Sequence, residues 1–496
     1  MDYLSFVSQN KALLISPAGY GKTYTIVESL KYTEGTQLIL THTHAGVGSI
    51  KEKIKAENIP TRLFHIETIS SFCQKYVQSF YIGKDIPDQE DKLYHTFILE
   101  KAYTLFKSHI LQSIIKSTYR GLFVDEYQDC KKKQHDIMMV LSDLIPTRIL
   151  GDPLQSIFDF NGDLVDFNTD LSDFVAYPEL DVPNRWYRHG YNILGDVIKG
   201  YRKNLINREP IILNEDIPNG IHVIQIQDGD LFSPKSNYNT NLRAIITNRR
   251  NNPILESLLI LVPEYAEVSP AGTRYYGTIS DRVNLKNRMD FGNQLTLLEA
   301  IDDSSFYSIS RTADVLISGI NRAIKKINRI KRDILIPIFK KTEIDRWFLD
   351  NGFKTKRLDE DREKSVKVQL RFSTFLEAPN ACNLLALVTE AKFQFGLRQK
   401  REAIYRSFLT SLKQSTYDNI SVYEAMKNNR NQIRIVGRKV QAKCIGTTLL
   451  TKGLEFDTVV LLDAHKFDNR QHLYVALSRC CKKLIIFTNN LQLSPY

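Results

Sequence analysis

Cysteine is scarce in this chain. Six cysteines stand among 496 residues, without the paired spacing of a disulfide framework or a zinc site. Cys480 and Cys481 are adjacent and read as ordinary core or loop sequence. Long hydrophobic runs are missing too, since no stretch approaches the ~18–20 uncharged apolar residues that a membrane span needs. The start, Met1-Asp2-Tyr3-Leu4, has no basic segment leading into an apolar one, so no secretory signal is expected. Internal repeats and low-complexity tracts are also absent. Together these absences predict a soluble chain of a reducing, cytoplasmic compartment with no membrane partner.

What is present has the balance of a globular protein, 43% hydrophobic and 25% charged. The length predicts roughly two to four domains, because one core rarely grows past about 250–300 residues. Lys and Arg outnumber Asp and Glu by 67 to 56, a formal charge of +11. That excess suits a nucleic-acid partner without identifying one.

Short apolar runs alternate with helical stretches at both ends of the chain. Ala12-Leu13-Leu14-Ile15, Leu38-Ile39-Leu40, Leu122-Phe123-Val124 and Arg148-Ile149-Leu150 read as buried strands. A second set comprises Gly220 to Gln225, Ser257 to Val262, Ile433 to Val436, Thr458 to Leu462 and Leu484 to Phe487. Strands alternating with helices predict an α/β protein of two lobes with parallel, helix-covered sheets. Chemistry in such sheets gathers at the carboxyl ends of strands. The expected organisation is a first lobe over 1–180 with a helical insert at about 74–119. A second lobe is expected in two parts, 181–283 and 431–496, around a mostly helical insertion at 284–430. Within that insertion, Arg322 to Arg346 is heavily basic. It reads either as a solvated helix face or as a phosphate-contacting surface.

The strand at Leu13 runs into Ser16-Pro17-Ala18-Gly19-Tyr20-Gly21-Lys22-Thr23, and a helix follows. Glycines there let successive backbone N–H groups converge on one anion at a helix N-terminus. Lys22 would reach the β- and γ-phosphates, and the Thr23 hydroxyl would ligate Mg²⁺. Ser16 stands where the first glycine of this pattern is usual. The strand ending at Val124 delivers Asp125 and Glu126 to its tip, a costly placement unless the carboxylates have partners. Asp125 would hold Mg²⁺ through water, and Glu126 would orient and deprotonate an attacking water.

Six ordered blocks carry a family resemblance. Asp125-Glu126-Tyr127-Gln128-Asp129 and Gly151 to Phe158 resemble motifs II and III of the UvrD/Rep-type superfamily 1 helicases. Thr447 to Asp457 and Tyr474 to Arg479 resemble motifs V and VI, while Thr41 to Lys53 and Thr68 to Cys73 resemble Ia and Ib. The resemblance implies two RecA-like P-loop lobes with 1B-like and 2B-like inserts. It also implies a DNA-dependent ATPase that uses ATP and Mg²⁺ and moves 3′–5′ on single strands. Ser16, Ala18, Gly19, Tyr20, Gly21, Lys22 and Thr23 would then cradle the nucleotide, with Gly453 beside it and Glu455 on the ribose. Gln155 would sense the γ-phosphate and Arg479 would act as an arginine finger. Leu180 to Arg185 resembles motif IV, which offers Arg185 as a second arginine; Arg188, after Trp186-Tyr187, is its rival.

On the nucleic-acid side the resemblance implies base stacking on His42, Phe158 and Phe160, with Thr68 and Thr447 along the strand. The expected partners are single-stranded or tailed duplex DNA. Three departures stand out. Ser70 and Leu449 replace histidines of motifs Ib and V, and only Gln9 is available upstream to read adenine. The compact length is similar to that of the helicase-like subunit of the Gabija anti-phage defence system, which implies a partner of ATPase–nuclease architecture. Two readings follow: a motor that unwinds DNA, or a nucleotide-gated DNA-end sensor that signals to a partner nuclease. A nuclease centre within this chain is not expected, because no cluster of carboxylates with a lysine lies outside the nucleotide site.

Overall fold

A computed structural model describes the chain except at 88–90, 92, 159–163, 214–215, 218–219, 228–234, 248–256, 264–265, 269–273, 277–295, 299–302, 319–323, 400–401 and 437–442. The first sheet contains β1 (Lys11–Ile15), β2 (Gln37–Thr41), β3 (Phe64–Thr68), β4 (Gly121–Val124), β5 (Thr147–Gly151) and β6 (Val175–Tyr177). Their order is β3-β2-β4-β5-β1-β6, every pair parallel. Leu13, Leu38, Leu40, Leu122 and Val124 face one core; Ala12, Leu14, Ile39 and Phe123 face the other. A strand turns alternate residues to opposite faces, so a sheet covered on both sides reads as unbroken apolar runs.

The second sheet contains β7 (Asp216–Ile217), β8 (Ile221–Gln225), β9 (Leu258–Leu261), β10 (Thr296–Leu297), β11 (Lys443–Gly446), β12 (Phe456–Leu461) and β13 (Cys480–Thr488). The order is β10-β11-β9-β12-β13-β8-β7, parallel except for the edge pair of β7 and β8. Leu259, Leu261, Val459 and Leu461 share one core with Trp186, Leu194 and Tyr201. Ala18, Tyr20 and Leu154, from loops at the tips of the first sheet, lie in that same core. The α/β architecture of two parallel-sheet lobes is therefore as the sequence implies.

Two expectations are corrected, for Ile433 to Val436 and for the start of the helical insertion. Ile433 to Val436 is not a strand but the end of the helix Val422–Val436. The local alternation there is outvoted by Val422, Ala425 and Met426, buried at helical spacing. The strand of that region is β11, where only Cys444 and Ile445 carry apolar weight. The insert at 74–119 is helical, with Tyr94–Phe106 and His109–Thr118. Its Ile98, Ala102, Phe106, Leu111 and Ile115 belong to the same core as Leu38 and Leu122. Finally, β10 joins the second sheet from within the stretch assigned to the helical insertion.

The chain forms two compact units, the first comprising Met1–Leu298 with Lys439–Tyr496 and the second Glu299–Arg438. Both sheets lie in the first. The second is built from the helices Asp303–Ile317, Asp359–Glu377, Ala381–Phe395, Glu402–Asp418 and Val422–Val436 around Phe339, Phe372, Leu387 and Phe408. Asp314 accepts from the backbone N–H groups of Val422 and Tyr423 at 2.7 and 2.9 Å, placing an anion on a helix N-terminus. Of the basic stretch, Arg322 lies outside the described residues. Lys331 is buried and paired with Asp345 at 3.3 Å and Asp350 at 3.4 Å. Arg332 pairs with Asp333 at 2.7 Å.

Candidate functional site

A cavity of about 470 Å³ opens where the loops at the carboxyl ends of β1, β2, β4 and β5 meet segments of the second lobe. Pro17, Ala18, Gly19, Gly21, Lys22 and Thr23 line one wall. Asp125, Glu126 and Gln155 line the floor, and Arg185, Gly453, Glu455 and Arg479 close the opposite side. Glu455 and Arg479 immediately precede β12 and β13, so they enter from the amino-terminal edge of the second sheet.

The loop after β1 turns through Gly19 at φ +81° and Gly21 at φ +101°. L-residues with a side chain rarely adopt that conformation. Gly19 is constrained twice, because a Cβ there would lie 3.0 Å from Arg185 Cβ and 3.1 Å from the Trp186 ring. The Arg185 backbone N–H donates to the Gly19 carbonyl at 2.8 Å, and Asn184 Nδ2 donates to the Tyr20 carbonyl at 3.0 Å. Ala18 N–H donates to the Tyr474 hydroxyl at 3.1 Å. Motif IV and motif VI residues thus hold the loop from behind.

Lys22 Nζ lies 2.5 Å from Glu126 Oε1 and 3.6 Å from Asp125 Oδ1. Burial alone would lower its pKa, but the Glu126 and Asp125 carboxylates outweigh that and raise it. Burial pushes Asp125 upward against the pull of Lys22. Burial would do the same to Glu126, yet Lys22 and Lys452 hold that carboxylate well below its usual range. Glu126 is thereby kept ionised, as a proton acceptor must be. Its backbone is left-handed at φ 56°, a conformation a glutamate keeps only when its surroundings enforce it. Gln128 Nε2 donates to the Glu126 carboxylate, and Gln128 Oε1 accepts from Asp152 N–H at 3.0 Å.

The far wall is a chain of donors. Arg185 donates to Glu455 Oε1 at 2.7 Å and to the Ser478 carbonyl. Arg479 donates from Nε to the Val475 carbonyl at 3.0 Å and from NH2 to Gln155 Oε1 at 3.3 Å. Burial lowers the Arg479 pKa to about 10. Arg188 lies instead over the Tyr24 ring, 4.9 Å from its centroid. Of the two motif IV rivals, Arg185 is the one joined to the glycine loop and to motifs V and VI.

Lys452 was read only as part of a motif, yet it crosses the cleft. It donates to Asp129 Oδ1 and to the Gln155 carbonyl, both at 2.5 Å, and lies 4.9 Å from the Phe158 ring centroid. His42 lines the same cavity with its Nε2 3.2 Å from Cys130 Sγ. Burial, then Lys452, lowers its pKa to about 4. Lys53, at the end of the block that resembles motif Ia, and Tyr24, which none of the blocks includes, also line the cavity.

Several expected residues stand elsewhere. Ser16 is fully buried behind the loop, and Tyr20 points into the core of the second lobe rather than the cavity. Thr68 is buried as an N-cap, its hydroxyl accepting from Ser71 N–H at 3.1 Å. Thr447 is buried, and its carbonyl accepts from the Thr451 hydroxyl at 3.0 Å. Phe160 lies outside the described residues. Among the described residues, no group of three or more His, Cys, Asp or Glu could hold a metal ion alone. Mg²⁺ needs less: it binds through one or two carboxylates plus phosphate oxygens and waters. Thr23 and Asp125, which line the cavity together, fit that donor set.

Residues 88–173 match the UvrD/REP helicase N-terminal domain. The chain is 27% identical over 257 residues to the Gabija protein GajB of Bacillus cereus, covering 47% of this chain. The match spans 46% of GajB, about half the length of that relative. Arterivirus nonstructural protein 10, a helicase solved alone and with DNA, is 15% and 14% identical. Those matches cover 54% and 52% of this chain and 50% and 49% of theirs, with TM-scores of 0.28 and 0.27. No helix among the described residues is long and apolar enough to cross a membrane.

Proposed function

We propose that this chain, related to the UvrD-like helicases and to GajB, hydrolyses ATP in the cleft between its lobes in response to single-stranded DNA. One observation carries the proposal. Lys22, Asp125 and Glu126 from the first lobe face Arg185, Glu455 and Arg479 from the second across one cavity. Phosphoryl transfer requires charge neutralisation and an ionised base at the same spot, and both are assembled there.

In this reading the N–H groups of Gly19, Gly21, Lys22 and Thr23 and the Lys22 ammonium bind the phosphates. Thr23 and Asp125 would hold Mg²⁺, which neutralises charge on the β- and γ-phosphates. An incoming phosphate takes over Lys22 and leaves Glu126 free to orient and deprotonate water. Gln155 reads the γ-phosphate, while Arg185 and Arg479 meet the charge that develops in the transition state. Since the arginines belong to the second lobe, turnover is tied to the cleft's closing and opening. Phe158, beside Lys452, supports a base-stacking track that continues from motif III. The narrower assignment is a superfamily 1A, 3′–5′ translocase of the cytoplasm, acting in anti-phage defence beside an ATPase–nuclease partner.

A second reading draws on the buried Thr68 and Thr447 and on the short insert folded into the first lobe. These favour a nucleotide-gated DNA-end sensor that signals to a partner nuclease without processive unwinding. ATPase rates with and without single-stranded DNA, run beside a tailed-duplex unwinding assay, decide between them. Stimulation with unwinding supports the motor, and stimulation alone supports the sensor. An ATPase rate indifferent to DNA, or none, sinks both.

A further inference from the structure

The motif III aspartate is the most enclosed charge near the cleft. Asp152 is fully buried, and a buried carboxylate persists only with a partner. Its cation is Arg202, on the helix Asn192–Asn207 that packs in the core of the second lobe. Arg202 NH1 lies 3.0 Å from Asp152 Oδ1, while its NH2 donates to Glu179 at 2.7 Å. Only 7% of the Arg202 side chain is exposed. None of the sequence motifs includes it.

Asp152 in turn fixes the amide of Gln155. Gln155 Nε2 donates to Asp152 Oδ2 at 2.8 Å, and Gln155 Oε1 accepts from Arg479 at 3.3 Å. An ionised carboxylate can only accept and a guanidinium can only donate, so the amide has one permitted orientation. The Arg202 guanidinium also lies over the Tyr474 ring, 5.3 Å from its centroid. The hydroxyl of that tyrosine receives the Ala18 N–H of the phosphate loop. One buried cation of the second lobe therefore backs both the γ-phosphate reader and the loop that cradles phosphate.

We propose that Arg202 is a positioning residue for hydrolysis, holding Gln155 in its reading orientation through Asp152 and tying that orientation to the second lobe. The inference rests on the nucleotide-site reading above. Arg202 touches no substrate; its effect passes through the position of the Asp152 carboxylate. Without the guanidinium, the Asp152 carboxylate loses the contact that holds it against Gln155, and the amide loses its fixed acceptor.

The test compares wild type, R202M, D152N and R202M/D152N in the full-length chain. Melting temperature, ATPase kcat and KM, and affinity for ADP and for ATPγS are measured on each. R202M leaves a buried unpaired carboxylate and is expected to be less stable, whereas R202M/D152N removes that charge and folds. Asparagine both donates and accepts, so in the double variant only the 3.3 Å contact from Arg479 still orients the Gln155 amide. The expected result for R202M/D152N is a kcat loss on the order of 10²-fold with KM nearly unchanged. Its preference for ATPγS over ADP collapses while ADP affinity is retained. The double loss does not exceed the larger single loss, because both substitutions break one connection. A folded double variant with wild-type kcat and preference overturns the proposal, as does a pure KM effect or losses that multiply. If wild type binds neither nucleotide, the site reading itself falls, and this inference with it, before any substitution is compared.

Discussion

The ammonium of Lys22 lies 2.5 Å from the Glu126 carboxylate, so the proposed phosphate-binding group and the proposed proton acceptor occupy each other. In the proposed reading, nucleotide binding exchanges that partner for phosphate. Glu126→Gln removes the carboxylate while keeping the side chain's shape. It should preserve or tighten ATP binding and cut hydrolysis by about 10²–10⁴-fold, the usual span of a general base. Equilibrium binding with single-turnover hydrolysis checks this. Full turnover by the variant would refute the role of Glu126.

Arg185 and Arg188 are three positions apart in a stretch that could be aligned with motif IV in two ways. Their surroundings differ, since Arg185 bonds Glu455 and the Ser478 carbonyl while Arg188 covers Tyr24. Arg185→Ala should lower kcat by about 10³-fold or more, the scale of a lost arginine finger. Arg188→Ala should act mainly on KM. Steady-state kinetics on both variants is the check, and the reverse pattern would hand the motif IV role to Arg188.

Gly19 combines a left-handed backbone with a close approach to Arg185 and Trp186. Gly19→Ala should cost about 1–2 kcal/mol from the backbone conformation alone and shift Arg185. Thermal unfolding should show a lowered Tm, and hydrolysis should fall with it. An unchanged Tm would mean the loop relaxes freely.

His42 resists protonation because of burial and the cation of Lys452, which lower its pKa to about 4. An unfolded histidine titrates near about 6.5. Between about pH 4 and about pH 6.5 the unfolded chain therefore binds a proton that the folded chain refuses, and stability rises with pH. Asp125 and Asp129, both raised to about 6 by burial, tilt part of that window the other way. Comparing His42→Gln with wild type cancels the carboxylates. The variant should lose less stability on acidification, read as denaturation midpoints from pH 7 to pH 4.5. Parallel curves would show that His42 takes up its proton in the folded state.

The motifs were legible because their spacing is local. A strand, a glycine turn, a lysine and a helix follow one another within Leu13 to Leu30, so backbone geometry alone brings them together. The resemblance to UvrD-like helicases, read from six such blocks, agrees with the domain match over 88–173 and with the likeness to GajB. β3 and β6 passed unnoticed because Phe64–Thr68 is partly exposed and Val175–Tyr177 is only three residues long. Ile433 to Val436 misled because a short apolar run fits either period, and only packing over the whole helix from Val422 chooses between them.

The sequence by itself determined the two α/β lobes and which residues are proposed for the nucleotide site, since periodicity and motif spacing are properties of neighbours along the chain. Tertiary structure alone decided which side chains meet across the cleft. Lys452 reaching Asp129, Arg185 reaching Glu455 and Arg202 neutralising Asp152 join residues separated by 323, 270 and 50 positions. It also withdrew Tyr20, Thr68 and Thr447 into buried places that their motif positions did not foretell. A charge's partner is fixed by the low-dielectric space that encloses both groups, and that space exists only after the lobes have packed.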